Sequence, residues 1–271
     1  MPVTKKRDKP VSGPKILLID LETTPIGAHV YGLFDQNVGL NGISEEWSIY
    51  SVACQWLGDT SVSYHDTFEQ ADRRDDRALC QTIWNYIDKA DIVIAHNGRA
   101  FDMKKVRARM LMHGLPPPAP VRVYDTLLVA RRVAKMTSNK LAWLSKYLAS
   151  QEKIDHAEFP GVTLALEFLR GNSKARRVNH KYNVRDITTL KDVYLALRPY
   201  DNAHPNLGVY AEDPDKSACP RCASQDMKED GLHHTNVSVY QRFRCNSCGS
   251  WSRGRKAINT KQHRAAQLAS I

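Results

Sequence analysis

An apolar run near the start of the chain ends in two acids, and this feature constrains the fold more than any other. Ile16 to Ile19 is followed at once by Asp20 and Glu22, within the stretch K-I-L-L-I-D-L-E-T-T-P. The continuous apolar run predicts a strand that is buried on both faces. Because side chains alternate along a strand, both acids lie on one face. Two neighbouring like charges repel, so the pair requires a shared proton or a hard cation such as Mg²⁺.

Two further acids lie on predicted helices. Asp102 follows a second short buried strand, Asp91 to Ala95, and opens a helix that is expected to end near His113. Tyr182 and Asp186 are four residues apart, so on a helix a phenol lies beside a carboxylate. Each feature by itself also has a structural explanation, because an acid suits a helix N-terminus and a tyrosine packs on a core.

The predicted elements mix strands with surrounding helices, which is typical of an α/β domain that ends near Tyr200. Trp47 to Tyr64 predicts a hairpin around a glycine turn. Two loops are expected to form the walls of a cleft. One is the glycine-punctuated segment Gly27 to Glu46, and the other is the basic segment Gly171 to Lys181.

Taken together, these stretches resemble the DEDD family of 3′ to 5′ exonucleases over about residues 14–200. The D-x-E motif of that family matches Asp20 and Glu22, its N-x-x-x-F-D motif matches Asn97, Phe101 and Asp102, and its Y-x-x-x-D motif matches Tyr182 and Asp186. The last motif selects the tyrosine subclass, which is similar to the proofreading domains of DNA polymerases. The histidine subclass is disfavoured because His180 lies one residue too far from Asp186 for its motif.

The resemblance implies a ribonuclease-H-like fold, with a mixed five-stranded sheet flanked by helices. It also implies hydrolysis of phosphodiester bonds with two Mg²⁺ or Mn²⁺ ions, which in such sites lie roughly 4 Å apart. Asp20, Glu22, Asp102 and Asp186 would bind these ions, with Asp20 bridging both. Tyr182 would orient the attacking water, because an ordinary phenol with a pKa of about 10 is a poor base at neutral pH.

Other residues near the motifs have weaker assignments. By the same resemblance, Thr23, Asn97 and Phe101 are expected to contact the nucleic acid. Asp125, at a strand-to-helix junction, is interpreted as a helix N-cap. His96 is interpreted as a packed or hydrogen-bonded histidine at the end of a strand.

Four of the six cysteines form two C-x-x-C pairs. Cys219 and Cys222 are separated by 22 residues from Cys245 and Cys248. This spacing predicts a tetrahedral, structural Zn²⁺ site in a β-rich zinc ribbon, whereas redox chemistry usually needs a single pair. Cys54 and Cys80, on a predicted strand and helix, are expected in the core.

The chain is basic, with 39 Lys and Arg against 29 Asp and Glu. This charge favours a polyanionic partner, and the similarity to proofreading domains favours single-stranded DNA over RNA. Arg242, Arg244 and Trp251 are candidate nucleic-acid contacts in the ribbon, since basic groups beside aromatic rings suit single strands. Replication or repair proteins are further candidate partners. Without a predicted signal or membrane span, we expect a cytoplasmic or nucleoid-associated protein that is not secreted.

The expected organisation has five parts: a disordered basic tail over 1–14, a ribonuclease-H-like domain over 15–200, a linker over 201–217, a zinc ribbon over 218–256 and a basic tail over 257–271. The expected activity is that of a two-metal 3′ to 5′ exonuclease releasing nucleoside monophosphates. Two alternatives stay open. One is a non-catalytic nucleic-acid-binding or recruitment protein, and the other is a structure-specific endonuclease or RNase that uses the same site.

Overall fold

The computed structural model describes residues 13–32, 34–151, 158–213 and 215–268. Lys15–Ala196 form one compact unit, here called the first unit, and the residues from Leu197 onward belong to another, here called the C-terminal unit. Residues 1–12 and 269–271, which belong to the two predicted tails, lie outside the described residues. None of the described helices is both long enough and apolar enough to cross a membrane.

The described residues form three β-sheets. Their strands are β1 (Ile16–Thr23), β2 (Gly27–Ala28), β3 (Ile43–Glu45), β4 (Ile49–Trp56), β5 (Ser63–Asp66), β6 (Ile92–Ala95), β7 (Arg122–Asp125), β8 (Met227–His234), β9 (Val239–Cys245) and β10 (Trp251–Ala257). The largest sheet has the strand order β5-β4-β1-β6-β7. In it β4 is antiparallel to β1 and β5, whereas β6 is parallel to β1 and β7. This confirms the predicted mixed five-stranded sheet.

Helices flank this sheet in the order expected for an α/β domain. They are α1 (Arg77–Asp88), α2 (Asp102–Met112), α3 (Thr126–Val133), α4 (Leu141–Leu148), α5 (Thr163–Leu169) and α6 (Ser173–Leu197), and the C-terminal unit holds α7 (Lys261–Ala265). Short 3₁₀ segments occur at Leu40–Gly42, Arg198–Tyr200 and Leu207–Tyr210.

Both faces of the central strand β1 are covered. Leu17, Ile19 and Leu21 belong to the apolar core that α1 and α2 complete on one face. Leu18 is fully buried on the other face. On that face Asn183 of α6 reaches the side chain of Asp20. The strand is therefore apolar on both sides until it reaches the edge of the sheet, as the sequence indicated.

The prediction of a basic loop over Gly171 to Lys181 is wrong, because α6 already begins at Ser173. Asn172 starts the helix, and its side-chain oxygen accepts hydrogen bonds from the amides of Lys174 and Ala175. The helical periodicity was hidden because the buried face of this helix is partly polar: Asn179 and Asn183 are fully buried. An amphipathic pattern cannot indicate a helix whose inner face carries amides.

The predicted loop over Gly27 to Glu46 is not entirely irregular. It contains β2 and β3, which pair antiparallel. Arg74 connects the two ends of this segment. Its guanidinium donates hydrogen bonds to the side chain of Thr24 and the carbonyl of Pro25 at one end, and to the carbonyl of Glu46 at the other.

The C-terminal unit contains a three-stranded antiparallel sheet in the order β10-β9-β8. The segment predicted as a linker packs within this unit: Leu207 is buried, and its amide bonds the carbonyl of Pro220. The segment predicted as a basic tail contains the short helix α7, which Thr260 caps.

A buried ion pair ties three elements of the first unit together. The carboxylate of Asp76, just before α1, accepts two hydrogen bonds from Arg109 of α2, at 2.6 and 2.7 Å, and one from the amide of Ile49 at 2.8 Å. His113 also contacts this carboxylate. Burial by itself would raise the pKa of Asp76, but its hydrogen bonds with Arg109, Ile49 and His113 hold that pKa below its usual value.

We expect Arg109→Ala to destabilise the protein by about 3–5 kcal/mol, because it leaves the Asp76 carboxylate charged and buried. Urea unfolding at neutral pH measures this loss. Arg170→Ala is the matched control, since it breaks an exposed pair with Glu167 and should cost less than about 1 kcal/mol. Equal losses in the two variants would contradict the importance of the buried pair.

Candidate functional site

The acids predicted to act together come from elements that meet at one edge of the large sheet. Asp20 and Glu22 lie near the C-terminal end of β1, and Asp102 begins α2 directly after the loop that follows β6. Because β1 and β6 are parallel, their C-terminal ends lie at the same edge. Asp186 reaches this edge from the middle of α6.

Three carboxylates converge there. Oxygen atoms of Asp20, Glu22 and Asp186 all lie within 4.8 Å of one another. Asp20 and Glu22 are half-buried, and Asp186 is fully buried. Three like charges at such separations repel strongly unless a cation or protons intervene. The donor set is made only of carboxylate oxygens, which fits a hard divalent ion such as Mg²⁺ or Mn²⁺.

Asp102 lies beside this group of three but is not a member of it. Its side chain is only 4% exposed, and its pKa is raised to about 7, mainly because burial disfavours the charged form. The backbone amides of Asp102 itself and of Leu21 act in the opposite direction, and the nearby charge of Asp125 raises the pKa further. The hydrogen bond with the amide of Leu21 places the Asp102 carboxylate next to β1.

Two buried asparagines that the sequence reading missed position Asp20. The Nδ2 atom of Asn183 donates to Asp20 Oδ2 at 2.7 Å, while its Oδ1 accepts from the hydroxyl of Ser51. Asn179, one turn earlier on α6, donates to Ser51 and accepts from Tyr50. The only sequence signal for this network is an N-x-x-x-N spacing ahead of Asp186, which puts the three side chains on neighbouring positions of one helix face.

The tyrosine of the third motif also lies on α6. Tyr182 is half-buried and close enough to Tyr50 for the two phenols to interact electrostatically. Burial raises the pKa of Tyr50 well above its usual value, and the charge of Glu22 adds to this effect. His180, which the motif spacing disfavoured, is exposed, and its ring meets Tyr64 edge-on at 4.5 Å between centroids.

Asp125 organises the loop that carries the second motif. Its carboxylate caps α3, as predicted, and also accepts hydrogen bonds from the amides of Asn97 and Arg99, both at 3.0 Å. These bonds hold Asn97 at a left-handed φ of 68°, and at Gly98 a Cβ atom would lie 2.4 Å from that of Ala95. The sequence reading recognised the cap but not this second role.

The remaining predicted contacts lie around the same edge. Asn97 and Phe101 are exposed, and Thr23 is half-buried beside an irregularity in the pairing of β1 with β4. His96 is hydrogen-bonded through Nδ1 to the hydroxyl of Thr126, at 2.9 Å. Burial raises the pKa of the Cys54 thiol to about 12, in agreement with its predicted place in the core.

The C-terminal unit holds the four predicted cysteines in one cluster. Their sulfur atoms all lie within 4.8 Å of one another; the pairs Cys219–Cys248 and Cys222–Cys245 are both 3.6 Å apart. The two C-x-x-C segments form equivalent turns. In each, the first cysteine carbonyl accepts from the amide four residues later, at Ala223 and at Gly249, and both of those residues have a left-handed φ.

The part of this unit that follows residue 217 has almost no apolar interior. Within the described residues 218–268, the buried side chains are those of Cys219, Arg221, Cys245 and Ser250. The Ser250 hydroxyl contacts the sulfur atoms of Cys219 and Cys248, at 3.1 and 3.2 Å. Four thiols at the centre of a module with so little apolar burial fit a metal ion that replaces the missing core.

One face of the C-terminal sheet is cationic and aromatic. Arg242 and Arg244 of β9 lie over the ring of Trp251, at 4.6 and 5.6 Å from its centroid, and Arg253 lies 4.0 Å from that of Tyr240. Trp251 is 45% exposed. The three ribbon residues predicted as nucleic-acid contacts therefore share one surface.

Fold and acidic site together define a ribonuclease-H-like protein, and the comparison with known families agrees. A model of the RNase H superfamily matches residues 39–198, which is more than half of the chain. The chain therefore belongs to the RNase H superfamily, and this membership supports nuclease activity in general. The matched range includes Asp102 and Asp186 and begins after Asp20 and Glu22.

Among solved structures, the chain is similar to the family B DNA polymerase from the hyperthermophilic archaeon Pyrobaculum calidifontis. The identity is 12% and the TM-score 0.46, over 69% of this chain and 26% of the polymerase chain. No curated protein sequence matches this chain significantly.

The raised pKa of Asp102 predicts a pH-dependent stability. Without added divalent metal, the free energy of unfolding should fall on the order of a few kcal/mol as pH rises from about 4 to about 7, relative to Asp102→Asn. The free energy of unfolding falls with rising pH because the folded protein keeps a proton on Asp102 that the unfolded chain releases in this range. Urea unfolding at each pH measures this free energy. Asp59→Asn, which changes an exposed carboxylate, should follow the wild type; parallel curves for all three proteins would contradict the assignment.

Proposed function

We propose that this protein is a divalent-metal-dependent 3′ to 5′ exonuclease of the DEDD type, tyrosine subclass, and that single-stranded DNA is its preferred substrate over RNA. The observation that carries the proposal is the convergence of Asp20, Glu22 and Asp186 within 4.8 Å, beside the buried Asp102. All four acids of the motif set, and the tyrosine of the third motif, are present at one edge of the sheet. A purely recruiting protein would have no need to keep three mutually repelling carboxylates together.

Each side chain of the acidic site has a proposed role that follows from its position. Asp20, Glu22 and Asp186 would hold the metal ions, and the amide of Asn183 fixes the orientation of the Asp20 carboxylate. Asp102 would contribute directly or through a water. Bound divalent ions would lower the pKa of a coordinated water and neutralise charge on the phosphodiester oxygens. Tyr182 would orient the attacking water from the neighbouring turn of α6.

The pKa of Asp102 has a consequence for this site. A carboxyl group whose pKa is about 7 is only partly ionised at neutral pH, so metal binding near it should release a proton. Divalent-ion affinity is therefore expected to increase with pH through the range in which Asp102 ionises. The same buried acid that costs stability in the metal-free protein would become favourable beside a cation.

Hydrolysis should depend on the acids and on a free 3′ end. We expect Asp20→Ala and Asp186→Asn to lower turnover by about a thousandfold or more, since several kcal/mol of transition-state stabilisation would be lost. The measurement is digestion of a 5′-labelled single-stranded DNA oligonucleotide with Mg²⁺ or Mn²⁺, in which the wild type should produce a ladder that shortens from the 3′ end. Circular dichroism checks that both variants fold.

Asp59→Asn is the matched control for this experiment, because the exposed carboxylate follows β4 at the opposite edge of the sheet and should not affect turnover. A closed circular strand should stay intact. Cleavage of the circle would replace the exonuclease assignment with an endonuclease. Undiminished turnover by Asp20→Ala would refute the assignment of the acidic site itself.

We also propose that Cys219, Cys222, Cys245 and Cys248 hold one structural Zn²⁺ in a zinc ribbon. Four thiolates would complete a tetrahedral shell without an open position, so the ion would stabilise the fold and take no part in hydrolysis. The equivalent turns at the two C-x-x-C segments, and the scarcity of buried apolar side chains within the described residues 218–268, support the assignment.

Removal of zinc should unfold the C-terminal sheet and leave the large sheet folded. We expect Cys222→Ser to lower the bound zinc, measured by elemental analysis, and to increase amide hydrogen exchange in β8 to β10 selectively. Cys80→Ser is the control, because this buried thiol lies in the first unit on α1. A Cys222→Ser protein with unchanged exchange in those strands would contradict a structural role for the metal.

The cationic face of the ribbon is proposed to assist the binding of nucleic acid. Arg242 and Arg244 present charge for phosphates, and Trp251 presents an exposed ring on which a base can stack. The segment from Cys219 to Arg264 carries nine Lys or Arg against three acids. This local excess of positive charge favours a polyanionic partner. Nucleic acid is therefore a better candidate partner of the ribbon than a protein surface that lacks acidic residues.

A further inference from the structure

A second basic surface lies in the first unit, apart from the residues assigned so far. It consists of α3, α4 and the segment between them, and we call it the α3–α4 surface. Residues 126–151 contain neither Asp nor Glu. Five basic side chains in this range are exposed: Arg131, Arg132, Lys135, Lys140 and Lys146. A solvated helix face usually mixes both signs of charge, so an exclusively basic segment is a candidate phosphate-binding surface.

The α3–α4 surface has a concave part. Arg131, Arg132 and Lys135 line a cavity of about 400 Å³ at the C-terminal end of α3, together with Met136 and Asn139. No acid lines it. A cavity lined by several cationic side chains attracts an anion with several oxygen atoms, such as a phosphodiester group.

Aromatic side chains lie next to the basic ones. Trp143 and Tyr147 are four residues apart on α4, with ring centroids separated by 5.9 Å, and Lys146 lies 5.4 Å from the Trp143 ring. Leu144 is fully buried and anchors the helix, while Tyr147 is 64% exposed. A large exposed ring held on an anchored helix is suited to stacking against a base.

The position of α3 connects this surface to the acidic site. Asp125, which caps α3, binds the amides of the loop that leads to Asp102. The helix therefore starts at the same edge of the sheet as the acids. Its eight residues extend about 12 Å, so the cavity at its far end lies within the reach of a short strand whose end occupies the acidic site.

We infer that the α3–α4 surface binds the backbone of single-stranded nucleic acid, with phosphates at Arg131 and Lys135 and a base stacked on Tyr147. This inference rests on the proposed function for the location of the 3′ end. The binding itself does not require cleavage. The surface would hold the strand several nucleotides upstream of the scissile bond, and so would favour long substrates over mononucleotide esters.

The test uses the double variant Arg131→Glu/Lys135→Glu in the full chain. Binding of a 5′-labelled 15-nucleotide single-stranded DNA is measured by fluorescence anisotropy in the Asp20→Ala background, which prevents degradation of the probe. We expect affinity to fall by about tenfold or more, and the slope of log affinity against log salt to become shallower by about 1.4, since two phosphate contacts are lost. Tyr147→Leu should weaken binding by about fivefold or more without a change in slope.

Lys89→Glu/Arg122→Glu is the matched control. It changes the charge by the same amount on exposed positions that border the N-terminal ends of β6 and β7, at the opposite edge of the sheet. It should keep most of the affinity and the wild-type salt slope. If the glutamate variant fails to fold, Arg131→Gln/Lys135→Gln replaces it, and the change of salt slope remains the readout.

Equal losses in the α3–α4 variant and in the control would overturn the inference, because they would show a general charge effect. Unchanged affinity and slope in the α3–α4 variant would overturn it as well. Cleavage is then followed separately with the thymidine 5′-monophosphate p-nitrophenyl ester, which is too short to reach the surface. The α3–α4 variant should hydrolyse this ester at the same rate as the wild type. A wild-type protein that binds DNA but hydrolyses neither the DNA nor the ester would refute the proposed function, and the inferred binding surface would still stand.

Discussion

Repulsion among the carboxylates of Asp20, Glu22 and Asp186 is the constraint on which the first unit depends. Oxygen atoms of three acids within 4.8 Å, one of them fully buried, are unfavourable unless something compensates for their charge. The fold supports them from several directions. β1 presents two of the acids on one face, α6 brings the third, and Asn183 donates to Asp20 from within the same helix. Hydrogen-bond donors moderate the repulsion, and a divalent cation would remove it.

Polar groups, as well as the apolar core, hold this arrangement. The apolar core formed with α1 and α2 covers one face of the sheet. On the other face, hydrogen bonds among the buried side chains connect β4 with α6; these side chains are Tyr50, Ser51, Asn179 and Asn183. Such a network specifies one register of the helix on the sheet, because a shift by one residue would leave several buried polar groups without partners. The rigid placement of Asp186 relative to β1 is thus a consequence of amide chemistry on α6.

The two units use different means of stabilisation. The first has a large apolar core and the buried pair of Asp76 with Arg109. Within the described residues 218–268 the buried side chains are those of Cys219, Arg221, Cys245 and Ser250, so an apolar core contributes little to the stability of the C-terminal sheet. Both units nevertheless present basic and aromatic side chains on their surfaces, at Arg242, Arg244 and Trp251 in one and along α3 and α4 in the other. That shared surface chemistry agrees with the basic balance of the whole chain.

The sequence by itself determined the features that depend on local geometry. Alternation along β1 put Asp20 and Glu22 on one face, the C-x-x-C spacings predicted the cysteine cluster, and the order of elements indicated the mixed sheet. Only the tertiary structure decided that α6 extends back to Ser173, that Asn183 bonds Asp20, and that burial raises the pKa of Asp102 to about 7. The physical reason is that these features depend on contacts between residues far apart in the chain. A buried amide looks like a surface residue in the sequence, and the pKa of an acid depends on neighbours that only folding brings beside it.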